Sequence, residues 1–419
     1  MKKAIFFVIM ITASMFIMPT ALAAGTDVAS VDGVKYQTVQ EAINNANNKT
    51  VVILENVTES ITIEKDTTVT LDLAGKTITN TAGKHTVINK GTLTITGNGT
   101  LDNVSHARGA LVNNGTTNLI SGTLTRSKEA GTAPGTSGGN SWYVVDNNGG
   151  TFNMKGGKVL GTSGFSSAIR NLEATFNMTG GEITNPFIAL KNDDNGIINM
   201  TGGTVSTTKS GGSAIQNWGQ LTMTGGTLNQ ADGALAIYTL SWDDKYNQVT
   251  TTISENAVVN GDVKVDKDGN PTKLPKFNVV GGTINGNITD VAGGEITVTG
   301  GKVTGTVKST VSGKVEIAKA DYTKVNSLVD RFNKLDKRLY TEESVKKVQA
   351  AIDAIRYDKT VLEQAEVDKM ATDIESALAT LEEIKVENPD TSDINVVALI
   401  VMMILGTIGF GYTVKKTFN

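Results

Sequence analysis

Residues Ser213 to Leu228 read SAIQNWGQLTMTGGTL, and five earlier segments say nearly the same thing. They are TVINKGTLTITGNGTL from Thr86, ALVNNGTTNLISGTL from Ala110, VVDNNGGTFNMKGGKVL from Val144, SAIRNLEATFNMTGGEI from Ser167 and IALKNDDNGIINMTGGTV from Ile188. Within each, apolar and polar residues alternate, as in Leu221-Thr222-Met223-Thr224 and Phe176-Asn177-Met178-Thr179. A period of two means a strand with one buried face. A glycine pair such as Gly180-Gly181, Gly202-Gly203 or Gly225-Gly226 then supplies a sharp corner, because glycine tolerates positive φ, and a new strand begins.

Aligned on one asparagine, the segments place Asn89, Asn113, Asn147, Asn171, Asn192 and Asn217 at intervals of 24, 34, 24, 21 and 25 residues. The long interval holds SKEAGTAPGTSGGNS, Ser127 to Ser141, a Gly, Ser and Thr-rich insertion that reads as a protruding loop. One unit per turn at a near-constant period is the signature of a stacked repeat. Each asparagine follows an inward aliphatic by two places, so alternation points it into the coil. A buried amide is costly alone, yet identical amides stacked every ~4.8 Å can donate and accept along the axis. The expected fold is therefore mainly β, a right-handed parallel β-helix with an internal asparagine ladder, of about a dozen turns between about residues 35 and 317. Val39, Ala42, Ile43 and Ala46 share one face of a short helix suited to plugging its first turn.

Composition agrees. The 419 residues include 45 glycines but only 6 prolines, and a net charge of −4 argues against a nucleic-acid surface. There is no cysteine, so stability must come from packing and backbone pairing. After Ala318 the pattern changes to helical spacing, with Val325, Leu328 and Phe332, then Val345, Val348 and Ile352, then Val367, Ile374 and Leu378. This predicts a small three-helix bundle over 319–385.

Both ends read as addresses. Met1 to Ala23 has a basic start, an apolar core and Ala21-Leu22-Ala23, the form of a secretory signal peptide. Ile394 to Tyr412 is charge-free for nineteen residues, roughly 28 Å of helix and enough to cross a bilayer, with Lys415 and Lys416 behind it. The expected organisation is a signal peptide at 1–23, a β-helix with its cap at 24–318, helices at 319–385, a linker at 386–393 and an apolar transmembrane helix with basic tail at 394–419.

The repeat unit, with the lead-in Val34 to Ile43 and Leu71-Asp72-Leu73-Ala74-Gly75-Lys76, resembles pectate-lyase-like right-handed β-helix domains of Gram-positive surface proteins. The helical region, with Asp321-Tyr322, Leu339-Tyr340-Thr341-Glu342-Glu343-Ser344 and Gln364 to Asp368, is similar to a FIVAR module, which implies a small extracellular unit that assists binding. The C-terminus resembles a cell-wall sorting signal, its pentapeptide Asn388-Pro389-Asp390-Thr391-Ser392 having Asn and Ser where the commonest pattern has Leu and Gly. That resemblance implies a sortase as partner, which would join Thr391 to peptidoglycan; without cleavage the span is simply a membrane anchor.

Catalytic and metal signatures are sparse. His85 and His106 lack metal or nucleophile spacing, and Asp193-Asp194 and Asp243-Asp244 are adjacent acids in turn-like settings. Asp266-Lys267-Asp268-Gly269-Asn270-Pro271 lacks the distant bidentate Glu of a calcium loop. No cofactor or metal is expected. Trp142, Trp218 and Trp242, with Tyr143 and Tyr246, are the candidate ligand contacts, since rings on a rigid face can stack on sugars or engage a partner; packing beneath loops is the plainer alternative. The expected function is a cell-surface anchored adhesin or binding rod for a glycan, matrix or cell-wall polymer. A passive stalk and a polysaccharide-active enzyme are the competing readings.

Overall fold

A computed structural model describes residues 26–127 and 142–385. The signal-peptide segment, most of the insertion, the pentapeptide Asn388–Ser392 and the apolar span at 394–412 lie outside the described residues. Among the described residues, no helix is long and apolar enough to cross a membrane.

The protein is mainly β, a parallel solenoid of about ten turns followed by a few helices. Each full turn contributes one strand to an eleven-stranded parallel sheet and two strands, meeting at the glycine corner, to the remaining sheet. Equivalent strands pair in register. Phe152, Phe176 and Ile198 lie one above another, as do Met154, Met178 and Met200. All six are at most 1% exposed. The Phe152 and Phe176 rings stack with centroids 5.6 Å apart. At the Gly203 corner φ is +82°, and a Cβ there would stand 2.5 Å from Met178 Cε, so both chirality and space demand glycine.

The coil has fewer turns than the period implied because its start is built differently. Ala29–Val31 and Val34–Tyr36 form an antiparallel hairpin through Asp32 and Gly33, both at positive φ, and the first of these strands also pairs antiparallel with Lys49–Ile53. Two central residues at φ > 0 suit the right-handed twist of a hairpin, which Asp-Gly favours. Helix α1 (Val39–Asn44) begins at Thr38, whose side chain accepts from Glu41 N at 3.1 Å, and it buries Val39, Ala42 and Ile43.

The chain divides into two compact units. The first runs to Ala320 but also takes Asp358–Gln364, a segment whose composition belongs with the helices. Val361 N donates to Ala318 O at 2.9 Å, and Val361 and Leu362 pack against the solenoid core, so this segment continues the core past the last strands. The second unit holds helices α2 (Thr323–Asn333) and α3 (Glu342–Asp353) and most of α4 (Gln364–Ala379). It buries Val325, Leu328 and Phe332 from α2, Val348 from α3, and Val367, Ala371, Ile374 and Leu378 from α4. Glu342 and Glu343 sit in the first turn of α3, where a helix dipole favours acids.

Candidate functional site

The eleven-stranded sheet presents two columns of side chains from the same strands, one inward and one outward. Inward stands the asparagine column. Asn89 Nδ2 donates to Asn113 Oδ1 at 2.8 Å, Asn113 to Asn147 at 2.7 Å, Asn147 to Asn171 at 2.7 Å, Asn171 to Asn192 at 2.8 Å and Asn192 to Asn217 at 2.8 Å. All six side chains are fully buried. Above Asn217 the column passes to hydroxyls, Asn217 donating to Thr251 Oγ1, which pairs with Thr239 Oγ1 at 2.8 Å. A second ladder, which the sequence reading did not assign, runs on the other sheet at the half-buried outer positions Asn118, Asn153, Asn177 and Asn199, each amide bonded to the next at 2.8 to 2.9 Å.

The residue before each inner asparagine points outward, and the pairing register stacks Ile88, Val112, Asp146, Arg170, Lys191 and Gln216 into one column, continued by Tyr238 and Lys264. Charged groups and rings gather along it. Arg170 Nε lies 3.0 Å from Asp193 Oδ2, and Lys191 Nζ lies 2.8 Å from Asp193 Oδ1. The Arg170 guanidinium sits 5.3 Å from the Tyr143 ring, and Lys191 Nζ 4.3 Å from the Trp218 ring, both within cation–π range. Trp218 and Trp242 are 5.9 Å apart, Trp242 and Tyr246 5.1 Å, and Trp142 and Tyr143 5.6 Å. These contacts form an unbroken band from Trp142 to Tyr246 over five strands, roughly 19 Å at ~4.8 Å per strand.

The candidate aromatics therefore share one neighbourhood but are not free platforms. Trp142, Trp218 and Trp242 are each half-buried. Trp218 is covered on one face by Lys191, and Trp242 Nε1 donates to Asp194 Oδ1 at 3.3 Å. Trp242 and Tyr246 come from the loop after Leu235–Ser241, which Asn247 N ties down by donating to Asn195 Oδ1 at 2.7 Å. Among the described residues, three polar atoms of the band are buried without a hydrogen-bond partner: Asp146 Oδ1, Trp142 Nε1 and Trp218 Nε1. Asp193 Oδ1 also lacks a well-directed hydrogen bond, but Lys191 lies close enough to count as its partner.

Asp146 is 5% exposed and its nearest cation, Arg170 Nη1, stands 3.9 Å away. Burial pushes its carboxyl above the ordinary aspartate range, partly offset by Arg170. Burial likewise raises the Tyr143 phenol. Asp193 departs from the expectation for an acid in a turn, being 5% exposed at the end of Ile188–Asp193 and shared by two cations. Asp194 begins the turn proper, at φ +32°. Asp266 is bound to Lys264 at 2.6 Å and accepts from Tyr238 Oη at 3.0 Å.

His85 is half-buried, its Nδ1 accepting from Gly109 N at 2.9 Å, and burial lowers its pKa; His106 is exposed. A shallow groove of about 650 Å³ near His85, lined also by Thr62, Ile88 and Arg108, extends the same face toward the first turns. Among the described residues, no group of three His, Cys, Asp or Glu is placed to hold a metal.

The sequence reading missed Asp146, Arg170 and Lys191, although aligning on the asparagines already put them in one column. Comparison with family models, with curated proteins and with solved structures finds no match to this chain.

Proposed function

We propose that this chain is an exported, surface-anchored binding rod that holds a glycan along the band on its eleven-stranded sheet. The observation that carries this is the unbroken run of rings and ion pairs from Trp142 to Tyr246, assembled from segments up to a hundred residues apart. Half-buried rings fixed on a stacked scaffold offer flat apolar area at little entropic cost, and adjacent carboxylates and cations offer hydrogen bonds that orient a ligand. In this reading the leader exports the chain, the helical region serves as a FIVAR-like accessory unit, and a sortase acting at Thr391 joins the chain to peptidoglycan.

A glycan array probed with the full chain tests it. Binding to extracellular or cell-wall glycans is expected, with substantial loss in Trp242→Ala. A chain that binds no glycan is a stalk, and the proposal fails.

One observation favours a second reading. Asp146, with its raised pKa, and Asp193 flank Arg170 on one face, an acid–cation–acid arrangement that could serve proton transfer on a polysaccharide. New reducing or unsaturated ends released from a bound polymer, and lost in Asp146→Asn, would favour that enzyme.

A further inference from the structure

We propose that the band recognises an uncharged, polyhydroxylated polymer, a neutral polysaccharide, and not an acidic one; this rests on the band being a glycan-binding face. Every cation contributed by the band already has a carboxylate beside it. Arg170 and Lys191 share Asp193 at 3.0 and 2.8 Å, Lys264 has Asp266 at 2.6 Å, and Lys245 has Asp243 at 3.4 Å. A uronate, sulfate or phosphate would have to displace one of these acids and then sit beside it. It would also meet Asp146, whose buried Oδ1 has no hydrogen bond to spare it from a second anion.

The unsatisfied atoms point the same way. Asp146 Oδ1, an acceptor 3.9 Å from Arg170 Nη1, and Trp218 Nε1, a donor, are both buried and have no hydrogen bond among the described residues. A hydroxyl can donate to the first or accept from the second, whereas an ionised acidic group is acceptor-only and suits the indole alone. Both atoms are closed to solvent, so a hydroxyl reaches them only as the half-buried side chains above them give way, and pairing then recovers part of the cost of leaving them without a hydrogen bond. The rings at Trp218, Trp242 and Tyr246 add apolar faces for the C–H surfaces of pyranose rings. Because the charges of the face are paired within it, binding should owe little to long-range attraction.

The test uses the full chain and isothermal titration with two panels of polymers. Dextran, mannan, galactan and a mixed-linkage β-glucan form the neutral panel; polygalacturonate, hyaluronan and polyglycerol phosphate form the acidic one. Binding to at least one neutral polymer is expected, changing less than about twofold between about 50 mM and about 0.5 M salt, since internally paired charges leave little for salt to screen. Trp242→Ala, in a surface loop, should weaken it at least tenfold, about 1.4 kcal/mol. Asp146→Asn, nearly isosteric, should weaken it severalfold. Circular dichroism of both variants confirms that the coil is retained.

Binding confined to acidic polymers, falling steeply with salt, overturns this inference while leaving a glycan-binding face in place. No binding to either panel, or neutral binding indifferent to Trp242→Ala, overturns both.

Discussion

Replacing Asn192 by alanine removes one rung from the middle of the inner column. Its Nδ2 donates to Asn217 Oδ1 at 2.8 Å, Gly196 O at 2.9 Å and Gln220 O at 3.1 Å, and its Oδ1 accepts from Asn171 at 2.8 Å. Two amide hydrogens and one well-used carbonyl make about three hydrogen bonds, each worth about 1 kcal/mol net, so the loss is about 3 kcal/mol, and the void left in a fully buried column adds to it. The outer ladder supplies the control. Asn177 donates to Asn153 at 2.8 Å and accepts from Asn199 at 2.9 Å, but it is half-exposed, so water replaces what alanine removes and the cost stays below about 1 kcal/mol. Asn192→Asp should cost more than alanine at neutral pH, because a carboxylate would face three oxygens that now accept from the amide, and acid should relieve part of that cost. Urea unfolding read through the midpoint, with the slope unchanged, measures all three. Equal losses for Asn192→Ala and Asn177→Ala would refute the idea that the inner column carries stability.

Gly203→Ala should cost about 2 to 3 kcal/mol, because it combines positive φ with a 2.5 Å approach to Met178, while Gly269→Ala, at φ +67° with nothing within 4 Å, should cost only about 1 kcal/mol; thermal melts of the two variants compare them. Asp146 has a folded pKa above its unfolded one, so the contribution of its protonated form is fully present below the ordinary aspartate range and is lost as pH rises from there through the folded value; Asp146→Asn should therefore raise Tm at pH 7, with the gain shrinking toward about pH 4. Asp193→Asn should act in the opposite direction, lowering stability by about 2 kcal/mol in a urea titration at low salt, because Arg170 and Lys191 lose a shared partner.

The coil was legible in the sequence because its signals are one-dimensional. Alternation marks the strands, the glycine pairs mark corners, and the inner asparagines mark the turn length. What was not legible depends on partners from different turns or on loops with no period. Arg170 and Asp193 are 23 residues apart and meet only through register. Trp242 returns over Trp218 by way of an eight-residue loop, 242–249, where the preceding turn crosses from Asn217 to Gln220 with only two residues. The hairpin at Asp32-Gly33 carried a local signal that the repeat obscured, and Asp358–Gln364 looked like part of the helices because composition cannot show which core a segment joins.

Stacking also explains which features of the band the scaffold itself requires. Arg170 and Lys191 occupy the same outward position in adjacent turns, and two cations ~4.8 Å apart at an effective dielectric of about 20 repel by about 3 kcal/mol. Asp193, two positions further along its strand, sits against both and removes that repulsion. A solenoid that repeats a charged outward residue needs such a counter-charge whatever its function, so these ion pairs alone do not mark a binding site. Packing requires neither a buried Asp146 oxygen without a donor nor an indole N–H without an acceptor, and both cost stability in the free protein. Features that cost stability and sit among stacked rings are where a ligand would repay the cost, which is why the proposed binding face rests on Asp146 and Trp218 more than on the salt bridges between them.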